Sequence, residues 1–136
     1  MNDDDALRFV ADNHRAVLVT RRRSGAVQTS PVIVGVGDGG HLEISSRETA
    51  YKVRNLRRDP QATLCVFTDA FFGGWVQVEG TAEIVSLPRA MEGLVDYYRR
   101  LRGEHPDWDD YRAAMERERR VLVKVSIDAV GPTRAG

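Results

Sequence analysis

The segment WVQVEGTAEIV, residues 75–85, alternates apolar and polar side chains along its length. A period of two suits an extended strand with one buried face and does not suit a helix. Val76, Val78, Gly80, Ala82 and Ile84 face one side; Trp75, Gln77, Glu79, Thr81 and Glu83 face the other. The same pattern recurs in VQTSPVIVGV, with Val32, Val34 and Val36 in phase, and in VLVKVSI, with Val121, Val123, Val125 and Ile127. Three more short runs read as strands: residues 15–22, HLEISS and ATLCVFTD. Pro31 cannot donate to a ladder, so its strand lies at a sheet edge or carries a bulge.

Turn residues separate these runs. Ser24-Gly25, Asp38-Gly39-Gly40 and the stretch Phe71 to Gly74 leave room only for tight connections, which favour antiparallel pairing. Four helices punctuate the strands. Asp3, Asp4 and Asp5 open one that runs to about Asn13, with acids at the positive end of its dipole. Residues 49–58 place Ala50, Val53 and Leu56 on one stripe, and Pro60 stops them. Pro88 suits the first turn of a third helix, with Met91, Leu94, Val95, Tyr98 and Leu101 at helical spacing and Gly103 at its end. Asp107 starts the fourth, whose stripe is Trp108, Tyr111, Ala114 and Met115.

Six strands and four helices define an α+β chain, mainly β, expected to be one domain over 1–136: a six-stranded antiparallel barrel with helices at its ends. A barrel that small is filled by its own side chains. A ligand of any size must therefore bind outside it, in a groove or between subunits.

Composition removes several functions. Hydrophobic residues are 42% and charged residues 29%, ordinary for a globular protein. Twenty basic residues balance 20 acidic ones, which argues against a dedicated nucleic-acid binder. Cys65 is the single cysteine and sits in an apolar run, so it reads as a small buried hydrophobe. His14, His41 and His105 share no ligand spacing with it or with each other, and no metal is expected. The acidic N-terminus and the lack of a long apolar stretch give a cytoplasmic expectation, with no membrane span. Gly35, Gly37 and Gly40 fit G-x-G-x-x-G, but an extended segment follows where that fingerprint needs a helix. They read as a hairpin turn.

Two features invite a ligand. Arg47, Lys52, Arg54, Arg57 and Arg58 face only Glu48 and Asp59 in sequence, with Ser45, Ser46 and Thr49 at the expected helix start. Hydroxyls, free N–H groups and cations make an anion site; a solvated basic face with a serine cap explains the same residues equally well. Lys52 and Asn55, three apart, are expected on one face. The F-F-G-G-W turn sets aromatics beside glycines, where a planar ring could approach the backbone, although barrel packing is the commoner reason for such a turn.

With these residues in view, the chain resembles the pyridoxamine-phosphate-oxidase-like split barrels, in particular the mycobacterial-type subgroup that uses the deazaflavin coenzyme F-420. The likeness rests on VLVTRRRSGAVQTSPV at 17–32, KVRNLRRDPQATL at 52–64, WVQVEGTAEI at 75–84 and GEHPDWDDYRAAMERERRVLVKV at 103–125. The second and fourth blocks are the most specific. The resemblance implies a flavin-mononucleotide-binding-like split barrel that forms homodimers with cofactor sites at the interface. It implies a cofactor phosphate held by Ser45, Ser46, Lys52 and Asn55, and a ring near Gln28, Ser30 and Pro31. Gly74 and Trp75 are then expected from the partner chain. Ala50 stands where close relatives can carry a phosphate-facing arginine, a role Arg47 could take over. Arg54 fits the motif with its side chain turned from Lys52. The arginine-bearing C-terminal segment of true pyridoxamine-phosphate oxidases does not follow the last strand, which turns the expectation away from vitamin B6.

The resemblance thus implies a reductase that passes a hydride from reduced deazaflavin to an electron-poor double bond of a small organic substrate. The alternatives are a flavin mononucleotide (FMN) oxidase or reductase and a non-catalytic cofactor-binding protein. No catalytic residue stands out; Tyr98 and Tyr111 are the candidate proton sources.

Overall fold

The computed structural model describes residues 1–70 and 72–132. Phe71 of the F-F-G-G-W turn and the chain end therefore lie outside the described residues. The elements run α1 (Asp3–Asp12), β1 (Arg15–Arg21), β2 (Val27–Ile33), β3 (Gly35–Val36), β4 (Leu42–Arg47), α2 (Tyr51–Arg58), β5 (Gln61–Phe67), β6 (Trp75–Val85), α3 (Met91–Arg102), α4 (Trp108–Arg117) and β7 (Arg120–Gly131).

All strands join one antiparallel sheet in the order β2-β1-β5-β6-β7-β4-β3. The sheet has seven strands, not the six expected. The difference lies in VQTSPVIVGV, which is two strands. Val34 breaks it: its N–H donates to the His14 carbonyl at 2.8 Å, and His14 Nδ1 donates back to the Val34 carbonyl at 2.9 Å. Because the carbonyl can only accept, Nδ1 carries the hydrogen in this pair.

This break determines the architecture. β2 and β3 form opposite edges of the sheet, yet a single residue joins them. The sheet must curl until its edges meet at that corner. β3 is only two residues long, so beyond the corner β2 and β4 separate and leave a split. Pro31 lies on edge strand β2, where its missing N–H leaves no gap in the ladder to β1.

The concave face and the first two helices enclose the main core. Leu18, Leu42, Ile44, Leu64, Val76, Val78 and Val123 are buried there with Ala6 and Val10 of α1 and Val53 and Leu56 of α2. α1 begins with a capping box: the Asn2 side chain accepts from Asp5 N–H at 2.9 Å, and the Asp5 carboxylate accepts from Asn2 N–H at 3.1 Å. A smaller core joins α3 and α4 to the sheet through Val85, Leu94, Val95, Tyr111, Met115 and Leu122. Residues 121–123 of β7 are buried on both faces because one face fills each core. Helix α3 starts at Met91, so Pro88 belongs to the preceding turn and not to the first helical turn. Asp107 caps α4 by accepting from Asp110 N–H, and Gly103 closes α3 at φ 79°.

No helix among the described residues is long and apolar enough to cross a membrane.

Candidate functional site

The split holds a cleft of about 880 Å³. Both strand edges line it, with Pro31–Ile33 from β2 and Ser45–Arg47 from β4. Tyr97, Tyr98, Leu101 and Arg102 of α3 form the facing wall, and Tyr111 and Met115 of α4 close it. One part is therefore apolar and aromatic, while the other carries charge.

The charged part gathers Arg47, Lys52 and Arg120 beside Ser45 and Ser46. Arg47 and Arg120 sit directly opposite each other on β4 and β7. Two cations in that register repel. Glu118 offsets the repulsion: it accepts from Arg120 Nε at 3.0 Å and Nη2 at 2.8 Å, and from Arg47 Nη2 at 3.4 Å. These arginines hold its carboxyl below the usual range, Arg120 most strongly. Lys52 has no ion pair among the described residues. Burial pushes its pKa down, and the nearby Arg120 charge pushes it further. The cluster thus keeps a surplus of positive charge. The Ser46 side chain is 3% exposed, yet neither its hydroxyl nor that of Ser45 has a side-chain partner among the described residues. Two open hydroxyls, an unpaired ammonium and two fixed guanidiniums suit a phosphate.

The serines stand on β4, not at a helix start. Helix α2 begins at Tyr51 with Ala50 at its N-cap and no side-chain cap, so the expected serine cap does not form. Ala50 and Arg47 both line the cleft, which puts Arg47 where it can supply the charge that Ala50 lacks.

The expected site residues separate into groups. Pro31, Ser45, Ser46 and Lys52 share the cleft. Asn55 and Gln28 line a different depression, together with Arg54. Lys52 and Asn55 therefore line different cavities. The Asn55 side chain is used internally: it donates to Thr20 Oγ1 at 3.1 Å and Gln28 Oε1 at 2.9 Å, and accepts from Arg58 at 3.1 Å. Ser30 is half-buried on the face of β2 that also carries Gln28 and Val32. Trp75 lies at the start of β6, 38% exposed and opposite Phe67, which opposes Arg15 in turn. Phe67 and Arg15 line the cleft, so this row leads from it towards Trp75. A Cβ at Gly74 would come into van der Waals contact with the Phe9 ring.

Of the two candidate proton sources, Tyr111 donates its hydroxyl to the Leu94 carbonyl at 2.8 Å, and burial pushes its pKa up to about 12. Tyr98 has no hydroxyl partner among the described residues and lines the cleft. Its ring packs edge-on against Trp108 and tilted against Tyr111 and His105. Tyr97, which the sequence reading passed over, donates to the Ile33 carbonyl at 2.7 Å and ties α3 to β2. Arg120, Arg15 and Arg102 were also missed, because only strand register and helix docking bring them here. Cys65 is half-buried on the outer face of β5, and burial raises its thiol pKa, which disfavours a reactive thiolate.

The family model described as pyridoxamine 5'-phosphate oxidase matches residues 3–134. Among solved structures, a conserved hypothetical protein of Mycobacterium tuberculosis is similar at 25% identity and a TM-score of 0.77, covering 96% of this chain and 82% of that one. An F-420 reductase is similar at 21% identity and a TM-score of 0.70, with 91% and 94% covered. An FAD-binding protein of Mesorhizobium loti is similar at 16% identity and a TM-score of 0.65, with 96% and 92% covered. The last two likenesses establish a shared fold. The family match spans nearly the whole chain, and the chain belongs to the pyridoxamine 5'-phosphate oxidase family of split barrels.

Proposed function

We propose that this protein is an oxidoreductase that uses coenzyme F-420 to reduce an electron-poor double bond in a small organic substrate. The observation that carries the reading is the cleft itself. A surplus of positive charge at Lys52, Arg47 and Arg120, beside two open serine hydroxyls, adjoins a wall of Pro31, Tyr98 and Leu101. That donor set fits a ligand with a phosphate at one end and a flat ring at the other. The structural likeness to an F-420 reductase supports the choice of deazaflavin.

When bound, the reduced cofactor supplies a hydride, and the chain's residues do the rest. Lys52, Ser45 and Ser46 bind the phosphate. The apolar wall orients the ring and excludes water. Tyr98 holds a proton at its hydroxyl for the second atom of the reduced double bond.

The site is proposed to be completed by a second copy of the chain, contributing Gly74 and Trp75. The outer face bearing Val27 at 48%, Ile33 at 44% and Trp75 at 38% exposure supports this, since it presents apolar side chains to solvent.

An FMN enzyme is the second reading, supported by the fold shared with an FAD-binding protein. Fluorescence titration with coenzyme F-420 and with FMN in parallel separates the two. Saturable preference for the deazaflavin supports the reductase; preference for FMN moves the protein to the second reading. Binding of neither removes both.

A further inference from the structure

A second depression, about 500 Å³, opens beside α2 and is lined by Arg22, Arg23, Arg54 and Arg58 with no carboxylate among its lining residues. Several other arginines meet acids: Arg57 with Glu48, Arg99 with Glu104, Arg112 with Glu92. Here Arg22, Arg23 and Arg54 have no ion pair among the described residues. Arg58 donates only to neutral oxygens, the Arg21 carbonyl at 2.8 Å and Asn55 Oδ1 at 3.1 Å. Four uncompensated guanidiniums around one concavity focus a positive potential into it, and their planar forks suit phosphate oxygens.

The floor is fixed. Asn55 is buried and bound to Thr20 and Gln28. Gln28 spends its oxygen on Asn55, which leaves its amide N–H groups without a partner among the described residues. At the rim Tyr51 is 69% exposed, with the Arg54 guanidinium 5.9 Å from its ring centroid. An exposed aromatic face beside arginines is what a base stacks on. The volume lies within the range of small-molecule sites, and the neutral net charge of the chain disfavours a long nucleic-acid strand.

We propose that this depression is a second ligand site that takes a free nucleotide, with the arginines on its phosphates and Tyr51 against its base. The site is separate from the cleft and does not rest on the cofactor reading.

Calorimetric titration with ATP tests it, alongside inorganic triphosphate and a short single-stranded oligonucleotide. ATP is expected to bind, with affinity that falls as salt rises. Arg54→Ala should weaken ATP and triphosphate by about tenfold, the loss of one charge-assisted contact. Tyr51→Ala should weaken ATP by about tenfold and leave triphosphate unchanged, because it removes only stacking. Lys52→Ala should leave ATP binding intact. Thermal unfolding checks that each variant is folded; Tyr51 and Arg54 are exposed. The proposal is overturned if ATP does not bind, if Lys52→Ala abolishes its binding, if triphosphate binds as tightly as ATP, or if only the oligonucleotide binds.

Discussion

Lys52 and Asn55 lie three residues apart on α2 and open onto different cavities, Lys52 into the cleft of the split and Asn55 into the arginine-lined depression. Asn55 is 5% exposed and tied to β1 through Thr20 and to β2 through Gln28. Its work is to dock the helix. Asn55→Ala leaves Thr20, itself 1% exposed, without that donor. The expected cost is about 1–3 kcal/mol of stability, the penalty for breaking buried polar pairs. Chemical denaturation should show a lower midpoint, and cofactor affinity of the folded fraction should stay the same.

Lys52 behaves in the opposite way. Burial and Arg120 lower its pKa, so the folded state holds this proton less tightly than the unfolded chain. The folded form therefore carries a penalty below the folded pKa, and the penalty disappears as pH rises past the unfolded value. Lys52→Met should raise the melting temperature at neutral pH and weaken the cleft ligands F-420 and FMN. A variant that melts lower, or binds FMN and F-420 as before, would remove Lys52 from the anion site.

The two cleft tyrosines should separate by chemistry. Tyr98→Phe should reduce turnover with an identified substrate and leave cofactor affinity unchanged, because only a proton source is lost. Tyr111→Phe should cost about 1 kcal/mol of stability through its bond to Leu94 and leave the chemistry alone.

Tyr111 also predicts an alkaline limit. Its pKa is raised from 10.0 to about 12, with burial as the main cause. The neutral hydroxyl is favoured by the fold, so this stabilisation is complete below pH 10 and is lost as pH rises through about 12. Burial raises Tyr97 as well, so absorbance titration of the phenolates should show two tyrosines ionising late, and the step near 12 should vanish in Tyr111→Phe.

Gly80 sits at the irregularity between β6 and β7, where the register shifts after Glu79. A Cβ there would clash with the Ser126 carbonyl oxygen and with Val125 Cγ1. The first obstacle is backbone and cannot swing away. Gly80→Ala should therefore destabilise by about 1–3 kcal/mol, as overpacking does, read as a drop in the denaturation midpoint.

Most strands, the four helices and the ends of α3 and α4 nearest each other were legible because each rests on local chemistry. Period-two alternation marked β6 and β7, Asp107 announced α4, and Gly103 ended α3. Ser45, Ser46 and Lys52 were legible as a cluster of hydroxyls and cation, since β4 and α2 are neighbours in the chain. Spacing did not say which cavity each residue would line. Lys52 and Asn55 are close in sequence, but the curl of the sheet gives each a different environment.

The sequence alone determined which segments extend and which coil, because backbone preference and side-chain periodicity act within a few residues. Tertiary structure alone decided the rest. Val34 breaks one expected strand into two because His14, twenty positions earlier in the chain, claims its N–H and its carbonyl. That break joins the two sheet edges, opens the split and creates the cleft. Strand register then sets Arg120 opposite Arg47, and Glu118 binds both. Electrostatics at such a site depends on distance in space, and folding brings residues 47, 52 and 120 together.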